Sequence, residues 1–141
     1  MIVLDTNVVS ALIQTTPDPV VVSWLNLQQS DLVWTTAVSV FEIRFGLSVM
    51  PAGRRQQALL ASFDQALIQM GNRVHPFDSA AAAQAASVSG RLRSIGRPIE
   101  FRDVMIAGTV AAHGATLITR NTKHFADTGV PLINPWQTAS P

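Results

Sequence analysis

Three acidic residues of this sequence lie in apolar stretches, where burying a lone carboxylate is costly. Asp5 follows the apolar residues 2–4, and Glu42 lies in a stretch whose only other charged residue is Arg44. Asp103 shares a predicted helix face with Ile106. We therefore expect the three carboxylates to point into the protein and to meet at one site.

Each of these acids also has a purely structural explanation. Asp5 could cap the helix that follows it, and Asp103 could be a first-turn acid that the helix dipole favours. Glu42 could complete a capping box that begins at Ser39, but the apolar periodicity of that helix begins at Ala37. The alternatives stay open for each residue alone, whereas the presence of such acids in three separate segments favours a shared site.

A cation would allow three carboxylates to share one site. Two carboxylates about 5 Å apart repel each other by roughly 3 kcal/mol at an effective dielectric constant of 20. Oxygen ligands favour Mg²⁺ or Mn²⁺ over zinc, and the chain has no cysteine. The three histidines lack the spacing of a zinc site, and we expect them on the surface or in loops: His75, His113 and His124.

Short apolar runs alternate with longer helical patterns, which is typical of a parallel sheet covered by helices. Strands are predicted at residues 2–4, 32–34, 73–77, 116–119 and 132–133. Ligands of such α/β sheets bind at the carboxyl ends of the strands, and Asp5 follows one of those ends. Because no linker or repeat interrupts the sequence, we expect a single domain over residues 1–141.

The predicted helices place the acids. They cover residues 7–13, a segment that begins at Pro19 with Asp18 as N-cap, residues 37–50, residues 53–70, a segment from a cap at Asp78 or Ser79 to Gly96, and residues 101–113. The helix over residues 37–50, which carries Glu42, is almost wholly apolar. We therefore expect it to be buried on most sides.

Composition limits the partners that charge alone could attract. The chain has 10 Lys and Arg against 9 Asp and Glu, so a polyanion would have to meet a local basic patch. Four arginines could form one, or could be the solvated end of a helix: Arg91, Arg93, Arg97 and Arg102. With 48% hydrophobic and 13% charged residues, the apolar excess indicates an interface with a partner or a second copy of the chain.

Targeting signals are not evident in the sequence. No basic and apolar leader precedes Asp5, and no apolar run approaches the ~20 residues that a membrane span requires. The lack of cysteine agrees with a reducing compartment. We therefore expect a cytoplasmic protein.

Four segments occur in the order and at the intervals of a known family. They are Asp5-Thr6-Asn7, Glu42 in its apolar helix, residues 102–107 (RDVMIA) and residues 119–125 (TRNTKHF). Together they resemble PIN-domain proteins of the VapC toxin type, and Asn134-Pro135-Trp136 resembles the FitB-like branch. The resemblance covers nearly the whole chain. It implies a three-layer α/β/α fold whose parallel sheet has the strand order 3-2-1-4-5.

The resemblance also implies the site residues. Asp5, Glu42 and Asp103 correspond to the metal-binding acids, and Asn121 completes the catalytic set at a position where many PIN domains have a fourth acid. The amide removes one negative charge, which weakens the case for a second metal ion. Asn121 could also cap the short helix after the fourth strand, and Thr6 could either place its hydroxyl in the site or cap the first helix.

The activity implied is that of a toxin, an endoribonuclease that uses Mg²⁺ or Mn²⁺ to cut structured RNA, often tRNA, into 5′-phosphate and 3′-hydroxyl products. Arg102, Arg120 and Lys123 are candidates for contacts with RNA phosphates, with ordinary surface charge as the alternative. The family also implies a VapB-type antitoxin that covers the acidic site. Candidates for that interface or for a homodimer seam, which could instead be core residues, are Trp24, Trp34, Phe41 and Phe45.

Two other functions fit parts of the sequence. Phosphotransfer from a strand-end aspartate, as in haloacid-dehalogenase-type enzymes, would need a second acid two residues after Asp5, where the sequence has Asn7. A non-catalytic interaction module that keeps its acids for metal-dependent structure is compatible with the amide at Asn121. Cleavage of RNA, of small phosphate esters or of neither separates the three functions.

Overall fold

The computed structural model describes residues 1–137 and contains a five-stranded sheet in which every pair of neighbours is parallel. The strands are β1 (Ile2–Leu4), β2 (Val33–Thr36), β3 (Val74–His75), β4 (Thr116–Ile118) and β5 (Leu132–Ile133). Their order is β3-β2-β1-β4-β5, which confirms the expected arrangement. The central strand β1 pairs through Ile2 with Val33 on one side and with Thr116 on the other. The carboxyl ends of β1 and β4 therefore lie side by side.

Seven α-helices accompany the sheet within the described part of the chain. They are α1 (Thr6–Ile13), α2 (Pro19–Asn26), α3 (Ala37–Ser48), α4 (Arg54–Gln69), α5 (Ser79–Ser94), α6 (Phe101–Ala112) and α7 (Thr122–Phe125). None of these helices is both long enough and apolar enough to cross a membrane.

Two hydrophobic cores lie on the two faces of the sheet because successive side chains of a strand point in opposite directions. Leu4 belongs to a core with buried residues of α1 to α4, such as Val8 and Phe63. Its neighbour Val3 belongs to a second core with residues of α6, such as Ile106. This alternation produces the three layers of the predicted α/β/α fold.

Side-chain caps mark the starts of α3, which carries Glu42, and of α2. Thr36 caps α3 by accepting a hydrogen bond from the Ser39 backbone N–H at 3.0 Å, so the helix begins at Ala37 as the periodicity predicts. The capping-box explanation of Glu42 is therefore wrong, because Ser39 lies inside the helix. Asp18 caps α2 through the Val20 backbone N–H, with Pro19 at the first helical position, as expected.

Two expectations about burial are wrong. Helix α3 is buried along one face only, because Phe41 and Phe45 on the opposite face are 57% and 53% exposed. An apolar helix on the outside of a sheet packs one face on the core and leaves its other apolar side chains uncovered. His75 is only 4% exposed, because its position in β3 stacks its ring on Trp34 at 4.1 Å and on His113 at 3.7 Å between ring centroids.

Candidate active site

Asp5 lies at the centre of the candidate site, at the carboxyl end of β1, and is 4% exposed. Its backbone N–H donates to the Ile118 carbonyl of β4 at 2.9 Å. Its Oδ1 accepts a hydrogen bond from the Thr6 backbone N–H at 2.8 Å, which makes Asp5 the N-cap of α1. Its Oδ2 accepts from the Thr119 hydroxyl at 2.8 Å and from the Asn7 amide at 3.2 Å. The capping explanation of Asp5 thus holds together with its place in the site.

The electrostatic surroundings of Asp5 disfavour its negative charge. Burial raises the pKa of Asp5, and the charges of Asp103 and Glu42 raise it further. The hydrogen bonds from Thr119 and Thr6 act in the opposite direction without cancelling the effect. The structure therefore brings Glu42 and Asp103 within electrostatic reach of Asp5, and a bound cation would relieve their repulsion of its charge.

Thr6 connects α1 with Glu42 on α3. Its hydroxyl donates to Glu42 Oε1 at 2.8 Å and lies 3.0 Å from the hydroxyl of Ser39. The helix-cap alternative for Thr6 is wrong, because Asp5 occupies the cap position and the Thr6 side chain faces Glu42. The second carboxylate oxygen of Glu42 lies 3.8 Å from Nη1 of Arg102. A hydroxyl and a guanidinium therefore hold Glu42 in place.

Arg102 stands at the start of α6 with acids on several sides. Its Nε donates to Glu100 Oε1 at 3.1 Å, and its backbone N–H donates to the same carboxylate, which caps the helix. The pKa of Arg102 is raised, first by its side-chain hydrogen bond with Glu100 and the charge of that residue, and then by the charges of Glu42 and Asp103. This predicted RNA-contacting residue thus faces the acidic site.

Asp103 follows on α6, and its side chain is 26% exposed. Its Oδ2 lies 2.7 Å from Nε2 of His124 on α7. The sequence-based assignment of His124 to the surface or to a loop missed this contact. The available signal was its spacing, because His124 follows Asn121 by three residues in a predicted short helix, and one helical turn returns a side chain to the same edge of the sheet.

Asn121 begins α7 directly beyond β4. Its backbone N–H donates to the Thr119 hydroxyl at 3.0 Å, and its carbonyl accepts from the His124 N–H at 3.0 Å. Asn121 occupies the N-cap position of α7 as expected, but its exposed side chain makes no capping hydrogen bond. The Thr119 hydroxyl therefore links the backbone of Asn121 to the carboxylate of Asp5.

The two remaining basic candidates flank Asn121. Arg120 is exposed, and its guanidinium lies over the indole of Trp136 at 4.6 Å from the ring centroid. Lys123 is exposed on α7. Two members of the predicted arginine cluster are occupied elsewhere, because Arg91 donates to the Thr128 carbonyl and Arg97 pairs with Asp127 at 3.1 Å. The basic patch is therefore smaller than the sequence suggests.

The donor set suits a hard divalent cation, since Asp5, Glu42 and Asp103 offer only oxygen and the charges of the other two act on Asp5. Within residues 1–137, however, no group of three or more His, Cys, Asp or Glu side chains is gathered closely enough to hold a metal ion. Glu42 turns toward Thr6, and Asp103 turns toward His124. Ion binding would require the carboxylates to exchange these contacts.

Comparisons with known proteins agree with the fold. The family model described as "PIN domain" matches residues 2–131. The chain belongs to the PIN-domain family. This PIN domain is 39% identical over 140 residues to the VapC ribonuclease Y4jK of Sinorhizobium fredii, a match that covers 99% of this chain and 100% of that protein. It is 33% identical over 137 residues to toxin FitB of Neisseria gonorrhoeae, covering 96% and 99% respectively.

The solved structures include a close counterpart of this PIN domain. A structure of FitAB bound to a DNA fragment matches it with a TM-score of 0.89 at 33% identity, and the match covers 99% of each chain. The FitB-like character suggested by Asn134-Pro135-Trp136 is thereby confirmed at the level of the whole chain. Relatives named as ribonuclease and as toxin therefore align with this PIN domain over nearly the full length of both chains.

Proposed function

We propose that this PIN domain is the toxin of a type II toxin–antitoxin system and a Mg²⁺-dependent endoribonuclease, with Mn²⁺ able to substitute, acting in the cytoplasm. Its substrate is structured RNA, with tRNA the first class to test. The observation that carries the proposal is the convergence of the Glu42 and Asp103 charges on the buried carboxylate of Asp5. The ribonuclease and toxin names of its relatives support it.

Asp5 and Asp103 are the proposed principal ligands, and Glu42 completes the set directly or through water. A divalent ion held there supplies a Lewis acid for the scissile phosphate and lowers the pKa of a bound water. The protein's own groups prepare this set. Thr119 and Thr6 orient Asp5 and Glu42 through their hydroxyls, and His124 holds Asp103.

The exposed side chains beyond β4 complete the proposed substrate site. Asn121 presents its amide at the edge of the acids, where a fourth carboxylate would repel the RNA backbone. Arg120 and Lys123 flank it and supply positive charge for neighbouring phosphates, while Arg102 approaches from α6. Cleavage with water as the nucleophile would leave a 5′-phosphate and a 3′-hydroxyl.

The decisive variant is Asp103→Ala. We expect RNA cleavage to fall by more than about 100-fold, because the loss of a ligand costs at least as much as the loss of a residue that supports one. The measurement is cleavage of purified bacterial tRNA with Mg²⁺, with and without EDTA, together with mapping of new RNA 5′ ends in bacterial cells that express each protein.

A matched control for this variant is Asp64→Ala. Asp64 is an exposed acid on α4 that pairs with Arg44 at 3.0 Å, so its removal changes the net charge equally and leaves the site intact. We expect wild-type cleavage from the control and unchanged thermal unfolding from both variants. Full cleavage by Asp103→Ala, or cleavage that EDTA does not affect, would refute the proposed metal site.

The proposed partner is a VapB-type antitoxin that covers the acidic site. Phe41 and Phe45 form an exposed stacked pair, with ring centroids 6.0 Å apart, on the helix that also carries Glu42. The tryptophan candidates are less suitable, because Trp24 packs against a core and Trp34 stacks on His75. A partner at the phenylalanine pair would lie beside the site.

Co-expression with the product of the adjacent gene, followed by size-exclusion chromatography with light scattering, tests the partner. We expect a complex of the two proteins in which RNA cleavage is suppressed. A dimer of this chain alone would assign the pair to a homodimer seam instead. A monomer that binds neither would contradict both forms of the partner proposal.

One observation favours a second function, a non-catalytic metal-binding interaction module. Asn121 replaces an acid at a position that many PIN domains use, which reduces the charge available to metal ions. Mg²⁺ or Mn²⁺ binding by the intact protein without cleavage of any RNA would support this alternative. Phosphotransfer is disfavoured, because Asn7 donates its amide to Asp5 where a second acid would be needed.

A further inference from the structure

The segment that follows β5 is bound to the edge of the acidic site. Asn134 is buried at 8% exposure, and its side-chain amide donates to the Arg120 carbonyl at 3.3 Å. Its Oδ1 accepts the Trp136 backbone N–H at 2.9 Å. The buried amide of Asn134 therefore connects the backbone of Arg120 to the backbone of Trp136.

Trp136 then joins two parts of the chain that are far apart in sequence. Its indole N–H donates to Asp18 Oδ2 at 2.8 Å, while Asp18 Oδ1 caps α2. The face of the same indole carries the Arg120 guanidinium, 4.6 Å from the ring centroid. The pKa of Asp18 is lowered, first by the hydrogen bond from Trp136, so Asp18 is an ionised acceptor that fixes the plane of the ring.

The location of Arg120 suits a contact with a phosphate. Its backbone N–H donates to Asn7 Oδ1 at 3.4 Å. The Asn7 amide and the hydroxyl of Thr119, the residue before Arg120, both donate to Asp5. An arginine that stacks by its face keeps its N–H edges available for the forked contact that phosphates favour. Within residues 1–137, Arg120 makes no salt bridge, although its charge acts on the nearby carboxylate of Asp18.

A free arginine side chain loses rotamer entropy when it is immobilised on a ligand. An indole that already holds the guanidinium reduces that loss when RNA binds. We propose that Trp136 is a positioning residue that holds Arg120 against an RNA phosphate beside the scissile bond. This inference rests on the proposed ribonuclease function and assigns a role to a residue outside the acidic set.

The test is a double-mutant cycle of Trp136→Leu and Arg120→Ala. The cycle uses fluorescein-labelled tRNA, with binding followed by anisotropy in EDTA and cleavage kinetics followed with Mg²⁺. We expect Trp136→Leu to raise Kd and KM roughly two- to fivefold, as loss of an exposed cation–π contact would, with kcat unchanged. In the Arg120→Ala background the same change should have no further effect. Arg120→Ala should reduce the slope of log Kd against log salt by about one.

Two further variants separate positioning from folding. Trp136→Phe keeps an aromatic face for Arg120 but loses the hydrogen bond to Asp18, and we expect it to restore most of the affinity. Arg44→Ala removes another exposed arginine that lies over an aromatic ring, that of Phe63 at 5.0 Å, and should leave Kd and KM unchanged. Thermal unfolding of each variant identifies any general loss of structure.

The outcomes distinguish this inference from the function on which it depends. The inference fails alone if the wild type binds and cleaves tRNA and Trp136→Leu leaves KM unchanged, lowers kcat instead, or acts equally with and without Arg120. If the wild type binds tRNA without cleaving it, the ribonuclease proposal fails and the cycle of Kd values still decides the role of Trp136. If the wild type neither binds nor cleaves RNA, both proposals fail.

Discussion

At the scale of single residues, both carboxylate oxygens of Asp5 and of Glu42 have partners in the site. Asp5 caps a helix with one carboxylate oxygen and accepts the Thr119 hydroxyl with the other. Glu42 is held by Thr6 on one oxygen and approached by Arg102 on the other. Every carboxylate proposed as a ligand therefore has a partner that a cation would displace or share.

Arg102 is the partner whose removal should most directly strengthen the binding of a metal ion at the acidic site. We expect Arg102→Ala to strengthen the binding of Mn²⁺ alone by roughly two- to fivefold, because the guanidinium 3.8 Å from Glu42 competes with a cation for that carboxylate. Isothermal titration calorimetry with Mn²⁺ and no RNA measures this. Arg93→Ala removes the same charge from the exposed surface of α5 and should leave the affinity unchanged. Weaker Mn²⁺ binding by Arg102→Ala would show that Arg102 does not compete with the ion.

The sequence pattern identified the acids at this scale, but not the contacts around them. Asp5, Glu42 and Asp103 stood out because each is charged among apolar neighbours. His124 did not stand out, because it follows several polar residues and its contact is with a residue 21 positions away. Its spacing from Asn121 placed His124 at the same edge of the sheet, but the contact itself depends on how α7 lies against α6.

At the scale of elements, helices begin where their caps are. Thr36 and Asp18 accept backbone N–H groups at the starts of α3 and α2, and such local hydrogen bonds can be read from neighbouring residues. The strand and helix bounds agree with the prediction to within about two residues. The exposure of α3 was not predictable, since an apolar helix does not specify which face the core will cover.

The contact between α5 and α6 requires a glycine. A Cβ on Gly108 would lie 2.5 Å from the Ala85 backbone nitrogen, closer than real contacts allow. We expect Gly108→Ala to lower the free energy of unfolding by about 1–3 kcal/mol, because overpacking would separate two helices that meet through backbone. Chemical denaturation measures the change.

Gly90 provides the matched control for this contact. It lies on the exposed side of α5, and a Cβ there would meet nothing within 4 Å. Gly90→Ala should therefore raise stability by about 0.4–1 kcal/mol, since alanine has less conformational freedom in the unfolded chain. Equal effects at the two glycines would contradict the close approach of α5 and α6.

At the scale of the whole molecule, the rings of Trp34, His75 and His113 stack across β2, β3 and the end of α6. His75 Nε2 also lies 3.1 Å from the sulfur of Met1 at the start of the chain. Burial lowers the pKa of His75 to about 4, and the charge of His113 contributes, while Asp78 acts in the opposite direction. This stack is a tertiary feature in which segments from both halves of the chain meet.

Protonation of His75 should therefore weaken the fold in acid. Between pH 6.5 and 4 the unfolded chain binds a proton at this imidazole that the folded chain does not, so stability falls as the pH is lowered through that window. The fall attributable to His75 is about 1–2 kcal/mol, because folding lowers the pKa of its imidazole from 6.5 to about 4 and solvent screening reduces the effect on stability. Urea unfolding of wild type and His75→Phe at several pH values measures it by difference.

A graded control accompanies this comparison. His75→Phe keeps a ring in the stack and should give the flatter profile of stability against pH. His113→Phe removes the neighbouring charge, raises the pKa of His75 and should give an intermediate profile. If the difference between wild type and His75→Phe is independent of pH, His75 does not have the lowered pKa.

The order of the sheet decides which distant residues become neighbours. The resemblance to a known family implied the order 3-2-1-4-5, whereas the alternating pattern of strands and helices alone only permitted it. That order places β1 beside β4, which brings Thr119 to Asp5 across 114 positions. Trp136 reaches Asp18 across 118 positions in the same way.

The amino-acid sequence by itself determined the class of the fold, because periodicity and caps are local properties. Its motifs carried the resemblance to the family, and charge among apolar neighbours singled out the three acids as candidates. The tertiary structure alone decided which groups surround those acids. It turned Glu42 toward Thr6 and Arg102, paired Asp103 with His124, and placed Arg120 on Trp136. These contacts form only when separate segments pack together, so their geometry depends on the whole fold.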